Sequence, residues 1–217
     1  MTEGGVARVP GSTFEERNMP SLAECPSQPS AISSSRVAIR AAQERDLETI
    51  QEIYAHHVLH GLASFETVPP SLDELAARRA AVLDLGLPFL VAEIDAAVVG
   101  YCYATCYRPR PAYRYTVEDS VYVAPGMAGR GIGSRLLAAL IDHCERGPWR
   151  QMVAVIGNSD NRGSIALHGR LGFEPVGTFR AIGFKLGGWL DTVLMQRALG
   201  QGAHTPPDDG SYPSASA

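Results

Sequence analysis

The stretch SVYVAPGMAGRGIGSRLLAAL at positions 120–140 restricts this chain more than any other segment. A β-branched run ends at Pro125. Three glycines follow at Gly129, Gly131 and Gly133, and then an amphipathic run carrying Ile132, Leu136, Leu137, Leu140, Ile141 and Cys144. That order predicts a strand, a tight turn and a helix. A glycine turn at a helix N-terminus aims several backbone N–H groups at one point, where the helix dipole adds partial positive charge. The segment therefore suits an anion, and phosphate best of all. Two familiar phosphate loops do not fit. The fingerprint G-x-G-x-x-G would need its third glycine at Ser134 or Leu136, and a P-loop needs a lysine after its last glycine. The chain's single lysine is Lys185. A strand-to-helix turn without a ligand also accounts for the glycines.

The rest of the chain alternates in the same way. Residues 36–40 read as a short strand. Residues 46–60 read as a helix, with Leu47, Ile50, Ile53, Tyr54 and Val58 on one face. Ser71 and Glu74 have capping-box spacing and open a second helix to about residue 85. Residues 88–94 and 97–107 read as a hairpin around Asp95-Ala96, and 116–124 as a central strand. A helix over 131–145, a buried strand over 151–157 and a helix over 161–171 follow. Two last strands are expected near 176–180 and 191–197. The order β-α-α-β-β-β-α-β-α-β-β implies an α/β fold with a mixed sheet, not a doubly wound one. Residues 1–35 and 200–217 are rich in Ser, Pro and Gly without periodicity, and read as disordered tails flanking one domain at 36–199.

Composition narrows the function classes. The net charge of −4 gives no sign of a nucleic-acid surface. No apolar run reaches membrane-spanning length, and the N-terminus lacks the apolar core of a signal peptide. Cys25, Cys102, Cys106 and Cys144 show no C-x-x-C spacing. No metal site and a reduced, cytoplasmic setting are the expectation.

Several ordered motifs then converge. RGIGS at 130–134 resembles the pyrophosphate turn Q/R-x-x-G-x-G/A of the GNAT N-acetyltransferase superfamily, and NRGSIALHGRLGF at 161–173 resembles its cofactor-side helix. YRY at 113–115, TVEDSVYV at 116–123, AVIG at 154–157 and FRAIGFKLGGWLD at 179–191 resemble the phosphinothricin and methionine sulfoximine acetyltransferase branch. The resemblance spans about 37–197. It implies a GNAT fold of about seven strands and four helices, with splayed central strands binding acetyl-CoA. It also implies transfer of acetyl to the α-amino group of a small L-amino acid or analogue. Ala128 departs from the pattern, because the superfamily has Gln or Arg there, and Arg130 is the expected substitute.

The resemblance also implies site roles. Gly129, Arg130, Gly131, Ile132, Gly133 and Ser134 would hold the pyrophosphate. Backbone groups of Val121, Tyr122 and Val123 would pair with the pantetheine arm, helped by Asn161 and Ser164. Glu118 is the expected base, because an amino-acid ammonium must lose a proton before it attacks; an ordinary solvated strand residue is the alternative. His168 stands where relatives often carry a tyrosine near the departing sulfur, which implies a catalytic role in protonating the thiolate or helping to deprotonate the amine; a structural histidine is its alternative. Asp119 should face away from Glu118 by strand alternation. Arg110 and Arg114 could fork onto the substrate carboxylate, with Phe65 and Tyr113 lining the pocket. Lys185 and Trp189 would form pocket wall or a dimer contact, and a homodimer is expected. Acetylation of a peptide or protein N-terminus, or acetyl-CoA binding without turnover, are the rival readings.

Overall fold

The computed structural model describes Met1 and residues 37–207. The expected tail at 1–35 lies outside these residues apart from Met1. The expected tail at 200–217 lies partly within them: 200–203 form turns, 204–205 bend, and the Arg150 guanidinium donates to Thr205 Oγ1 and to the Pro206 carbonyl, both at 3.1 Å.

Two-residue turns with positive φ set the sheet register. Asp95 (φ 51°) and Ala96 (φ 65°) join β2 (Phe89–Ile94) to β3 (Ala97–Cys106). Leu186 (φ 49°) and Gly187 (φ 82°) join β6 (Glu174–Lys185) to β7 (Gly188–Ala198). Both turns twist with the strands they connect. With β1 (Ala38–Ala41), β4 (Thr116–Val123) and β5 (Gln151–Gly157) they build a seven-stranded sheet in the order β1-β2-β3-β4-β5-β7-β6. Only β4 and β5 run parallel; every other neighbouring pair is antiparallel. The last two strands are longer than the sequence pattern suggests. A bulge between Phe179 and Gly183 breaks the alternation of β6, and the Ala181 N–H inside it donates to Asp191 Oδ1 at 2.9 Å.

Four helices cover the sheet: α1 (Leu47–His60), α2 (Leu72–Asp84), α3 (Ile132–Glu145) and α4 (Arg162–Arg170). The apolar face of α1 is the expected one, since Leu47, Ile50, Ile53, Tyr54 and Val58 are all buried. So is the α3 stripe from Ile132 to Cys144. Burying each aliphatic side chain contributes roughly 1.5–3 kcal/mol, so these two stripes anchor both helices. Ser71 caps α2 by accepting from the Glu74 N–H at 3.2 Å, but the Glu74 carboxylate turns to Arg78 at 2.6 Å instead of closing the box. Where β1 leaves the sheet, Arg40 grips both carboxylate oxygens of buried Asp46, at 2.6 and 2.8 Å.

Candidate active site

The sheet opens at its centre. β4 and β5 pair only from Thr116 opposite Gln151 to Asp119 opposite Ala154. Beyond Asp119 the strands part, β5 following β7 as far as Gly157 opposite Thr192, and β4 following β3 as far as Val123 opposite Gly100. The split is the floor of a cleft of about 1000 Å³.

The antiparallel register determines which backbone groups face this opening. The Ala124 N–H donates to the Val99 carbonyl at 2.9 Å. Bonding direction alternates along an antiparallel pair, so Tyr122 and Ser120 also aim at β3 while Val121 and Val123 aim at the split. This narrows the expected trio: Tyr122 reaches the cleft by side chain, not by its backbone groups. The Val123 carbonyl already accepts from His57 Nε2 at 2.9 Å. Burial pulls the His57 pKa down, which keeps that ring neutral with its proton on Nε2.

At the wide end of the split lies the glycine turn. Gly129 (φ 78°) and Gly131 (φ 75°) adopt left-handed backbone with open space where a Cβ would sit, so conformation rather than crowding requires glycine. Gly131 is the N-cap of α3. The N–H groups of Ile132, Gly133 and Ser134 therefore belong to the unpaired first turn of that helix. All these residues line the cleft, as does Ala128; Arg130 is exposed and does not.

On the same side α4 starts at Asn161, whose Oδ1 accepts from the Ser164 N–H at 3.2 Å. Asn161, Ser164 and His168 all line the cleft. His168 is buried, and both its ring nitrogens are engaged. Nε2 lies 3.0 Å from Asp119 Oδ2, and Nδ1 lies 2.8 Å from the Ser164 carbonyl. The Asp119 carboxylate accepts, so Nε2 carries a proton; Nδ1 also lies 3.3 Å from Ser164 Oγ, a hydroxyl that can donate or accept. Burial alone would lower its pKa, yet the Asp119 carboxylate and the Ser164 carbonyl outweigh it and the net direction is up. The ring has no N–H left to offer a departing sulfur.

The opposite face of the sheet carries Glu118. Thr105, Tyr103 and Tyr101 of β3 stand beside Glu118, Ser120 and Tyr122 of β4, and the Tyr122 ring meets Tyr54 of α1 edge-on at 5.0 Å. Glu118 is partly buried on the cleft wall. Burial, then the Asp119 charge, raises its pKa, and Arg108 offsets part of that rise. Phe65, Ser64 and Glu66 of the loop between α1 and α2 close this side. The Glu66 carboxylate is held by Arg78 at 2.7 Å, and Ser64 Oγ lies 3.0 Å from the Tyr54 hydroxyl.

Three expected acceptor residues are not among the cleft-lining ones. Arg110, Tyr113 and Arg114 lie on or beside a short 3₁₀ turn, where the Tyr113 ring packs on Tyr107 and the Arg114 guanidinium stacks over Tyr115 at 4.6 Å. In their place the fold brings Tyr54, His57, Glu66, Tyr103 and Asp119 to the cleft. A sequence signal existed for Tyr103, which shares a strand face with Tyr101, but nothing local marks the others.

Residues 39–194 match the family model described as an acetyltransferase (GNAT) domain. The phosphinothricin N-acetyltransferase of Alcaligenes faecalis is 52% identical over 197 residues, covering 88% of this chain and all of the relative. The L-methionine sulfoximine/L-methionine sulfone acetyltransferase of Salmonella typhimurium is 41% identical, covering 79% of this chain and 99% of the relative. Among solved structures, a GNAT superfamily phosphinothricin acetyltransferase from Sinorhizobium meliloti in complex with acetyl-CoA superposes with a TM-score of 0.79. It is 47% identical and covers 82% of this chain and 96% of its own. With its split sheet, its glycine turn and these matches, the chain belongs to the acetyl-CoA-dependent GNAT acetyltransferase family.

Proposed function

We propose that this enzyme acetylates the α-amino group of a small L-amino acid or analogue such as phosphinothricin, methionine sulfoximine or methionine sulfone. The observation that carries this reading is the two-sided cleft. The Val121 backbone groups and the Val123 N–H, on the edge of β4 that faces the split, run on to the first-turn N–H groups of α3 on one side, and partly buried Glu118 stands on the other. The names of the A. faecalis and S. typhimurium relatives support the acceptor class.

The residues fit acetyl-CoA. The N–H groups at 132–134 would take its pyrophosphate, assisted by Gly129 and Gly131. Val121 and the Val123 N–H would pair with the pantetheine arm, next to Asn161 and Ser164. The bound thioester supplies an electrophilic carbonyl. Glu118 removes one proton from the acceptor ammonium, directly or through a water. The freed amine attacks, the N–C bond forms and the C–S bond breaks. The thiolate then takes up the second nitrogen proton. A backbone N–H on the open edge of β4 steadies the oxyanion. Because both nitrogens of His168 are engaged, its role is to hold α4 against β4. Arg108, the arginine whose charge reaches Glu118, stacks over the Tyr107 ring at 4.8 Å and, like Arg110 and Arg114, is not among the cleft-lining residues.

The enzyme would act as a cytoplasmic homodimer. Support for pairing comes from the β6–β7 hairpin, which exposes Val176, Phe179, Ile182, Phe184, Leu186 and Trp189 in one stretch of the fold. Support for a reducing compartment comes from Cys102 and Cys144, buried thiols outside any disulfide.

The deciding experiment follows free CoA thiol released from acetyl-CoA with each analogue, with ordinary L-amino acids and with a short peptide. Release with phosphinothricin, the sulfoximine or the sulfone supports the reading. Release with the peptide alone, or acetyl-CoA binding without release, overturns it.

A further inference from the structure

The chain's one lysine is buried. Lys185 ends β6 and is 5% exposed. An ammonium withdrawn from water needs acceptors for its N–H groups. Lys185 Nζ finds two, donating to the Gly61 carbonyl at 2.8 Å and to the Ser64 carbonyl at 2.6 Å. Both carbonyls belong to the loop 61–71 between α1 and α2, the loop that brings Ser64, Phe65 and Glu66 to the cleft.

The surface under this loop is cut to receive it. A Cβ at Gly157 of β5 would lie 2.6 Å from the Leu62 carbonyl oxygen and 2.9 Å from that of Ala63. A Cβ at Gly183 of β6 would lie 2.3 Å from the Phe65 ring. The loop thus lies directly on the two strands, and the ammonium pins its backbone between them. At its far end Arg78 of α2 holds Glu66. Lys185 itself does not line the cleft.

We propose that Lys185 is a positioning residue for acceptor recognition. By holding the Gly61 and Ser64 carbonyls it makes Phe65 and Glu66 a rigid wall, and that wall restricts the acceptor to small side chains. The inference rests on the acceptor-side reading given above. The donor side is held by the glycine turn and α4, so loosening the loop leaves acetyl-CoA recognition intact.

Two measurements test this. The first uses the wild-type enzyme and an amine-acetylating reagent, with mass spectrometry reading the adduct on the sole lysine. Native Lys185 is expected to react at least about tenfold more slowly than in urea, because access needs local opening; equal rates overturn the proposal. The second compares Lys185→Met and Lys185→Arg. In Lys185→Met the acceptor KM rises about tenfold, the acetyl-CoA KM stays within about twofold, and larger L-amino acids gain relative to small ones. Amide hydrogen exchange across 61–71 quickens. Lys185→Arg, which keeps charge and donors, recovers part of the loss. An unchanged acceptor KM, or an equal rise in both KM values, overturns the proposal. Should Lys185→Met fail to fold, Lys185→Gln replaces it in the same assays. A wild-type enzyme that acetylates no amino acid would instead remove the functional reading, an outcome distinct from failure of the variants.

Discussion

His168 Nε2 donates to Asp119 Oδ2 across 3.0 Å, and Asp119 is the last residue of β4 that pairs with β5. This contact therefore sits where the sheet begins to split, and ties α4 to that point. Both partners are buried, and Asp119 Oδ1 has no hydrogen-bond partner. Removing one partner from such a buried pair strands the other out of water.

Asp119→Ala should accordingly cost about 3–5 kcal/mol in urea unfolding and raise the acetyl-CoA KM, since Asn161 and Ser164 ride on α4. The folded-state pKa of His168 is raised, so its contribution to stability is complete below its unfolded pKa and fades as pH climbs through the folded one. Unfolding free energy of the wild type should decline through the neutral to alkaline range. Asp119→Asn should flatten that decline; a parallel curve for the two proteins would count against the assignment.

Glu118→Gln should lower kcat by about 10²–10⁴-fold and leave acetyl-CoA affinity unchanged by calorimetry. Because burial raises the Glu118 pKa, the acid limb of the wild-type kcat/KM profile should lie above the ordinary carboxylate range. Retained turnover in Glu118→Gln would take this residue out of the chemistry.

Gly131→Ala forces a left-handed φ of 75° on a residue with a Cβ, at a cost of about 1–2 kcal/mol. The strain falls on the N-terminus of α3. We expect a higher acetyl-CoA KM with little change in acceptor KM, the reverse of the pattern expected for Lys185→Met. Steady-state kinetics with each substrate varied in turn would separate the two.

Acid sensitivity should trace to Asp46. Hydrogen bonds from Arg40 hold its pKa down, more than offsetting the effect of burial. A depressed carboxylate gives stability that is present above the unfolded pKa and lost as pH falls through the folded one. Asp46→Asn should cost about 2–3 kcal/mol at neutral pH and little in strong acid, where the wild type has lost the same interaction. Thermal melts across that range check the sign.

The features legible in the sequence were those fixed by near neighbours. Helical period gave all five buried residues of α1, the left-handed demand at 129 and 131 gave the turn before α3, and the pair Asp95-Ala96 gave a hairpin. Glu118 and the α4 residues were legible through their motifs. The side-chain direction of Arg114 was not, because stacking on the Tyr115 ring decides where that loop arginine points.

Contacts between distant residues were left to the tertiary structure. Asp119 and His168 lie 49 positions apart, and Lys185 meets Ser64 across 121. The split of β4 from β5 depends on which neighbour each strand follows after Asp119, a matter of register across the whole sheet. Local sequence encodes dihedral preference and amphipathic period over a few residues. A buried charge finds its partner only when folding has removed the water that would otherwise have solvated it.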